Sequence, residues 1–100
     1  MKTQVHIAQE FIDNGEISRP RFCPVALGCK PIFPDITVSV YPGFIALLPA
    51  LSDVPVLFFN DEELAKWILR FDDGDEVQPI TIEIDSDTLT AKIIAKTSTT

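Results

Sequence analysis

The spacing of apolar residues divides the chain into short segments of changing period. From Gln4 to Asp13, Val5, Ala8, Phe11 and Ile12 recur at steps of three and four, with Ile7 beside them. This spacing predicts an amphipathic helix, capped by Thr3 and closed by a left-handed Asn14-Gly15 stop. Seven of the eight prolines then lie between Pro20 and Pro55, which rules out a long helix there. Pro24 to Cys29 fits one or two helical turns, because proline loses nothing at the first helical position.

Ile36, Val38 and Val40 alternate with polar residues and predict a half-buried strand. Pro42-Gly43 marks a turn, longer than the tight two-residue kind because proline suits those poorly. Phe44 to Leu48 returns as a second strand. Val54 to Phe59 is expected as an edge strand, since Pro55 lacks a donor. Residues 61–71 form the clearest helix. Asn60 and Glu63 have capping-box spacing, Leu64, Trp67, Ile68 and Phe71 share one face, and Gly74 ends it. Ile80 to Asp85 alternates cleanly, Ser86-Asp87 turns, and Leu89 to Ala95 pairs back. The expectation is one α+β domain over residues 1–96. It has a small, mostly antiparallel sheet of four or five strands, two helices and one short helix, with residues 97–100 as a frayed tail.

One hundred residues suffice for one core, and the 46% hydrophobic content supplies it. No apolar run reaches the ~18–20 residues needed to cross a bilayer, and the start lacks the apolar stretch of a secretory signal. With two cysteines and no disulfide framework, a cytoplasmic location is expected. The net charge of −7 argues against direct nucleic-acid binding. That charge is uneven: residues 61–87 carry ten acids against Lys66 and Arg70, whereas residues 17–60 carry Arg19, Arg21 and Lys30 against Asp35 and Asp53.

Catalytic equipment is sparse. His6 is the only histidine, no serine sits in a nucleophile elbow, and the four glycines stand too far apart for a phosphate loop. Cys23 or Cys29 as a nucleophile would need His6 nearby in space. The two thiols are five residues apart, outside the usual zinc-knuckle spacing, and read as small buried hydrophobes. No enzyme activity, metal or cofactor is expected.

Two binding surfaces remain. Arg19-Pro20-Arg21-Phe22 precedes the helix starting at Pro24, so two guanidiniums and a helix N-terminus could hold an anion, with Phe22 as a stacking face. Cys23 and Tyr41 are counted with this site; Tyr41 and Phe44, at a strand turn, otherwise read as core. The second surface is Asp72, Asp73, Asp75 and Glu76, four acids in five positions beyond a helix end, where negative charge opposes the dipole. It reads as a solvated turn or as a dock for a basic partner.

Phe22-Cys23-Pro24-Val25-Ala26-Leu27 and Phe71-Asp72-Asp73-Gly74-Asp75-Glu76-Val77-Gln78-Pro79-Ile80-Thr81-Ile82-Glu83 together resemble a loose group of short uncharacterised proteins. These belong to bacteriophages, cyanobacteria and actinobacteria, and pair a CPVALA-like stretch with an FDxGxxVxPF-like block. The likeness extends over about two-thirds of the chain. Ile80 and Ile82 stand where the group tends to have phenylalanine. The resemblance implies a phage-type setting, in which small non-enzymatic proteins inhibit host factors or sequester nucleotide signals. The expectation is therefore a small binding protein that sequesters an anionic molecule such as a nucleotide. The alternative is an acidic inhibitor docking on a basic host surface. A sheet with an exposed apolar edge and a proline-rich apolar middle adds the expectation of a homo-oligomer.

Overall fold

A computed structural model describes residues 1–96. Alternation of side chains along the strands puts one apolar row per strand onto a common face. The elements run β1 (Lys2–Ile7), α1 (Gln9–Asn14), α2 (Pro24–Cys29), β2 (Ile36–Val40), β3 (Phe44–Pro49), β4 (Val56–Asn60), α3 (Glu62–Asp72), β5 (Ile80–Asp85) and β6 (Thr90–Lys96). They form a six-stranded mixed sheet of order β1-β5-β6-β4-β3-β2. Four pairings are antiparallel; β4 and β6 run parallel. The α+β class and the mostly antiparallel sheet are as expected, with six strands instead of four or five. The frayed tail expected over 97–100 lies outside the described residues.

The core face carries Val5 and Ile7 of β1, Ile80, Ile82 and Ile84 of β5, Ala91 of β6, Phe58 of β4, Ile45 and Leu47 of β3, and Val38 and Val40 of β2. Leu64, Trp67 and Ile68 of α3 and Val25, Ala26 and Cys29 of α2 close over it. Each fully buried Leu or Ile contributes about 1.5–3 kcal/mol.

The expected helix over 4–13 is corrected. Residues 2–7 pair antiparallel with β5, Val5 against Ile82 and Ile7 against Ile80, so the period there is two. Only Gln9–Asn14 is helical, and Thr3 lies inside the strand instead of capping a helix. Gly15 is not a left-handed stop: its φ of −70° is ordinary. It is a close approach, since a Cβ there would stand 2.6 Å from Pro24 Cδ and 2.9 Å from the Phe11 carbonyl oxygen.

β4 is not an edge. It lies between β3 and β6, and Pro55 falls just before the strand, so its missing donor costs no ladder bond. The seam to β6 is short: Phe59 N–H donates to the Leu89 carbonyl and Asp61 N–H to that of Ala91. At α3 the cap is Asp61, not Asn60, and its carboxylate accepts from Leu64 N–H at 2.9 Å. Asn60 instead serves the β2–β3 turn, its Nδ2 donating to the carbonyls of Tyr41 and Pro42. That turn has three residues outside the strands, Tyr41 to Gly43. α3 buries Leu64, Trp67, Ile68 and Phe71, pairs Lys66 with Glu62 at 3.0 Å, and ends at Gly74 with φ +83°.

Candidate functional site

Residues 16–22 form a tight excursion before α2. Glu16 N–H donates to the Phe22 carbonyl (2.8 Å) and Phe22 N–H to that of Arg19 (3.0 Å), which closes the loop on itself. Two further bonds dock it. Val40 N–H donates to the Pro20 carbonyl at 2.9 Å, covering part of the outer edge of β2. Ser18 N–H donates to Asp72 Oδ1 at 3.0 Å, fixing the loop to the end of α3. Ser18 adopts a left-handed φ of 57°, a conformation that a non-glycine residue rarely takes without such restraint.

The docked loop and β2 border a shallow, open cavity of about 300 Å³ lined by Ser18, Arg19, Pro20, Arg21, Phe22, Ser39 and Tyr41. Four of the five residues expected to bind a ligand, Arg19, Arg21, Phe22 and Tyr41, therefore meet in one place. Among the described residues, no carboxylate lines it. Arg19 makes a loose, exposed pair with Glu16 at 3.6 Å. Phe22 is 41% exposed and Tyr41 40%. Both rings are braced from outside the cavity: Lys30 Nζ lies 5.3 Å from the Phe22 centroid, and the Phe44 ring stands 4.9 Å from that of Tyr41. The exposure also corrects the reading of Tyr41 as core.

Cys23 does not line the cavity. It is buried at the N-cap of α2, and burial raises its thiol pKa despite the opposing pull of the Ala26 and Val25 amides. The helix N-terminus is likewise unavailable to a ligand. Pro24, Val25 and Ala26 are all buried, and the Cys23 sulfur sits where an anion would have to go. Arg19 and Arg21 are the cations of the site, without help from the helix.

Cys29 is also buried, and its thiol is pushed up to about 12 by desolvation and by the neighbouring Cys23. Both thiols are thus protonated at neutral pH, when a nucleophile needs thiolate. His6, which would have to activate them, is exposed, with Nδ1 3.1 Å from Thr81 Oγ1. Alternation along β1 puts it on the sheet face opposite the core. Among the described residues, no three His, Cys, Asp or Glu side chains converge as a metal site.

The acidic run divides. Asp72 is the anchor of Ser18, so it belongs to the arginine loop structurally. Asp73 caps α3, while Asp75 and Glu76 line a groove of about 700 Å³ between α1 and the α3–β5 connection. Arg70 reaches across to the Glu76 carbonyl at 3.2 Å, and Lys96 pairs with Glu63 at 3.1 Å. Of the four acids, only Asp75 and Glu76 line that groove.

Sequence reasoning missed the tie between Ser18 and Asp72, 54 positions apart. The misplaced charge of Asp72 at a helix C-terminus was its only signal. No family model, curated protein or solved structure matches the chain. No helix among the described residues is long and apolar enough to cross a membrane.

Proposed function

We propose that this protein is a non-enzymatic binding protein that holds a small anionic ligand carrying a planar ring, such as a nucleotide, in the cavity between residues 18–22 and β2. The observation that carries the reading is the convergence of Arg19, Arg21, Phe22 and Tyr41 on one cavity that no carboxylate lines among the described residues. Guanidiniums match phosphate oxygens with paired donors, and aromatic faces take a base by stacking. Ser18 and Ser39 add short hydroxyls beside them. The volume is at the low end of ligand sites, about 300–1,000 Å³ in general, which suits one ring and its phosphate. Burial of both thiols and their raised pKa values support a binding role over a cysteine nucleophile.

The test is calorimetric titration with nucleoside monophosphates against wild type and the Arg19→Ala/Arg21→Ala double variant. The reading expects saturable binding that weakens at least tenfold in the variant. No binding to wild type, or equal binding to both, overturns it.

A further inference from the structure

The anion cavity opens at one end of a row of aromatic side chains. Tyr41 closes the β2–β3 turn by donating its N–H to the Phe44 carbonyl at 2.8 Å, and their rings are 4.9 Å apart. Phe44 is the register partner of Phe59 on β4, and Phe59 is in turn opposite Thr90 on β6. Phe58, next to Phe59, is buried against the helices, so Phe59 points to the other face; it is 56% exposed. Tyr41 in the turn, Phe44 on β3 and its register partner Phe59 on β4 therefore follow one another on the uncovered face, the first two rings in contact and the third on the neighbouring strand. Along this row the first carboxylate is Asp85, two strands beyond Phe59.

An exposed aromatic row leading away from two arginines has the elements of a stacking platform: cations for the backbone phosphate and π-faces for successive bases. A mononucleotide in the cavity would leave Phe59 unused. We infer that the ligand carries two bases joined by a phosphodiester, one base held by Phe22 and Tyr41 and the second laid on Phe44 and Phe59. This inference rests on the proposed anion cavity and names its ligand class. A charge of −7 weighs against a long strand, which needs many phosphate contacts, but a dinucleotide needs only the two arginines. Stacking tolerates any base, so the platform selects for ring number more than for sequence.

The experiment compares AMP, linear pApA and cyclic di-AMP on wild type and Phe59→Ala by calorimetry, with sedimentation velocity on the free proteins. The inference expects at least one dinucleotide to bind about tenfold or more tighter than AMP. Phe59→Ala should abolish that gain and leave AMP unchanged. The linear and cyclic arms distinguish a strand terminus from a free cyclic ligand, and a gain with either supports the inference. Binding of AMP without any dinucleotide gain overturns this inference and leaves the cavity reading standing; no binding of any of the three overturns both. If Phe59→Ala instead dissolves an oligomer and leaves dinucleotide affinity intact, the row is a protein interface and the inference falls.

Discussion

The two halves of the sheet are alike on their covered face and opposite on their open one. Toward the helices, β1-β5-β6 and β2-β3-β4 both present unbroken aliphatic rows, such as Ile80-Ile82-Ile84 and Ile45-Leu47. On the other side, the first half displays Gln4, His6, Thr81, Glu83, Thr90 and Lys92. The second displays Phe44, Ala46, Leu48, Leu57 and Phe59 on β3 and β4, with Tyr41 at the turn, while β2 itself shows the polar Thr37 and Ser39. A sheet whose open face merely meets water has no need of the second pattern; the first half shows what solvation alone selects. Scattered exposed apolar residues are ordinary, and the contiguous set beside two arginines is the surface on which the proposed binding rests.

The contrast can be broken in order of expected effect. Phe58→Ala, on the covered face, should cost about 3–5 kcal/mol of unfolding free energy. Phe59→Ala, its exposed neighbour, should cost less than about 1 kcal/mol, both read from urea midpoints. Equal losses would mean that the open face is as much a packing surface as the core.

Alkaline pH sharpens the same distinction. Cys29 titrates near 9.0 when unfolded and about 12 when folded. The folded state thus holds its proton longer, and this contribution is complete below pH 9 and lost as pH rises toward 12. The slope approaches ~1.4 kcal/mol per pH unit between those limits. Cys29→Ala should flatten that decline, as seen in urea titrations at pH 8 and pH 10.5, whatever its effect on stability at neutral pH. An unchanged slope would contradict the burial of this thiol.

Smaller effects concern helix α3 and the loop. Asp61→Ala should cost about 1 kcal/mol through loss of the cap, while Asn60→Ala should act on the β2–β3 turn instead. Asp72→Ala frees the Ser18 amide and should weaken ligand affinity several-fold. Asp72→Asn keeps an acceptor and should be close to wild type. If Asp72→Asn weakens affinity as much as Asp72→Ala, its charge matters and not its hydrogen bond; if neither weakens it, the anchor does not support the site.

Much of this was legible in the chain where the signal is local. The face Leu64-Trp67-Ile68-Phe71, the alternation of Ile80-Ile82-Ile84 and the proline at the start of α2 each follow from neighbours a few residues apart. The N-terminal strand was not legible, because Val5 and Ile7 alternate for too short a span before Phe11 and Ile12 of α1 complete a false helical spacing. Its partner β5 lies more than seventy positions away. The β4–β6 seam is two register pairs long and leaves no pattern in either strand. At the site, arginines flanking a proline with an aromatic beside them were readable. The exclusion of Cys23 and of the helix end was not, because it depends on how deeply α2 sinks into the core.

Backbone amide shifts in a heteronuclear NMR titration with AMP bear most directly on the cavity. Perturbations should concentrate at Ser18, Arg19, Arg21, Phe22 and Tyr41, with Asp75 and Glu76 unmoved. A spectrum that stays still throughout, or one that moves chiefly at Asp75 and Glu76, would contradict it.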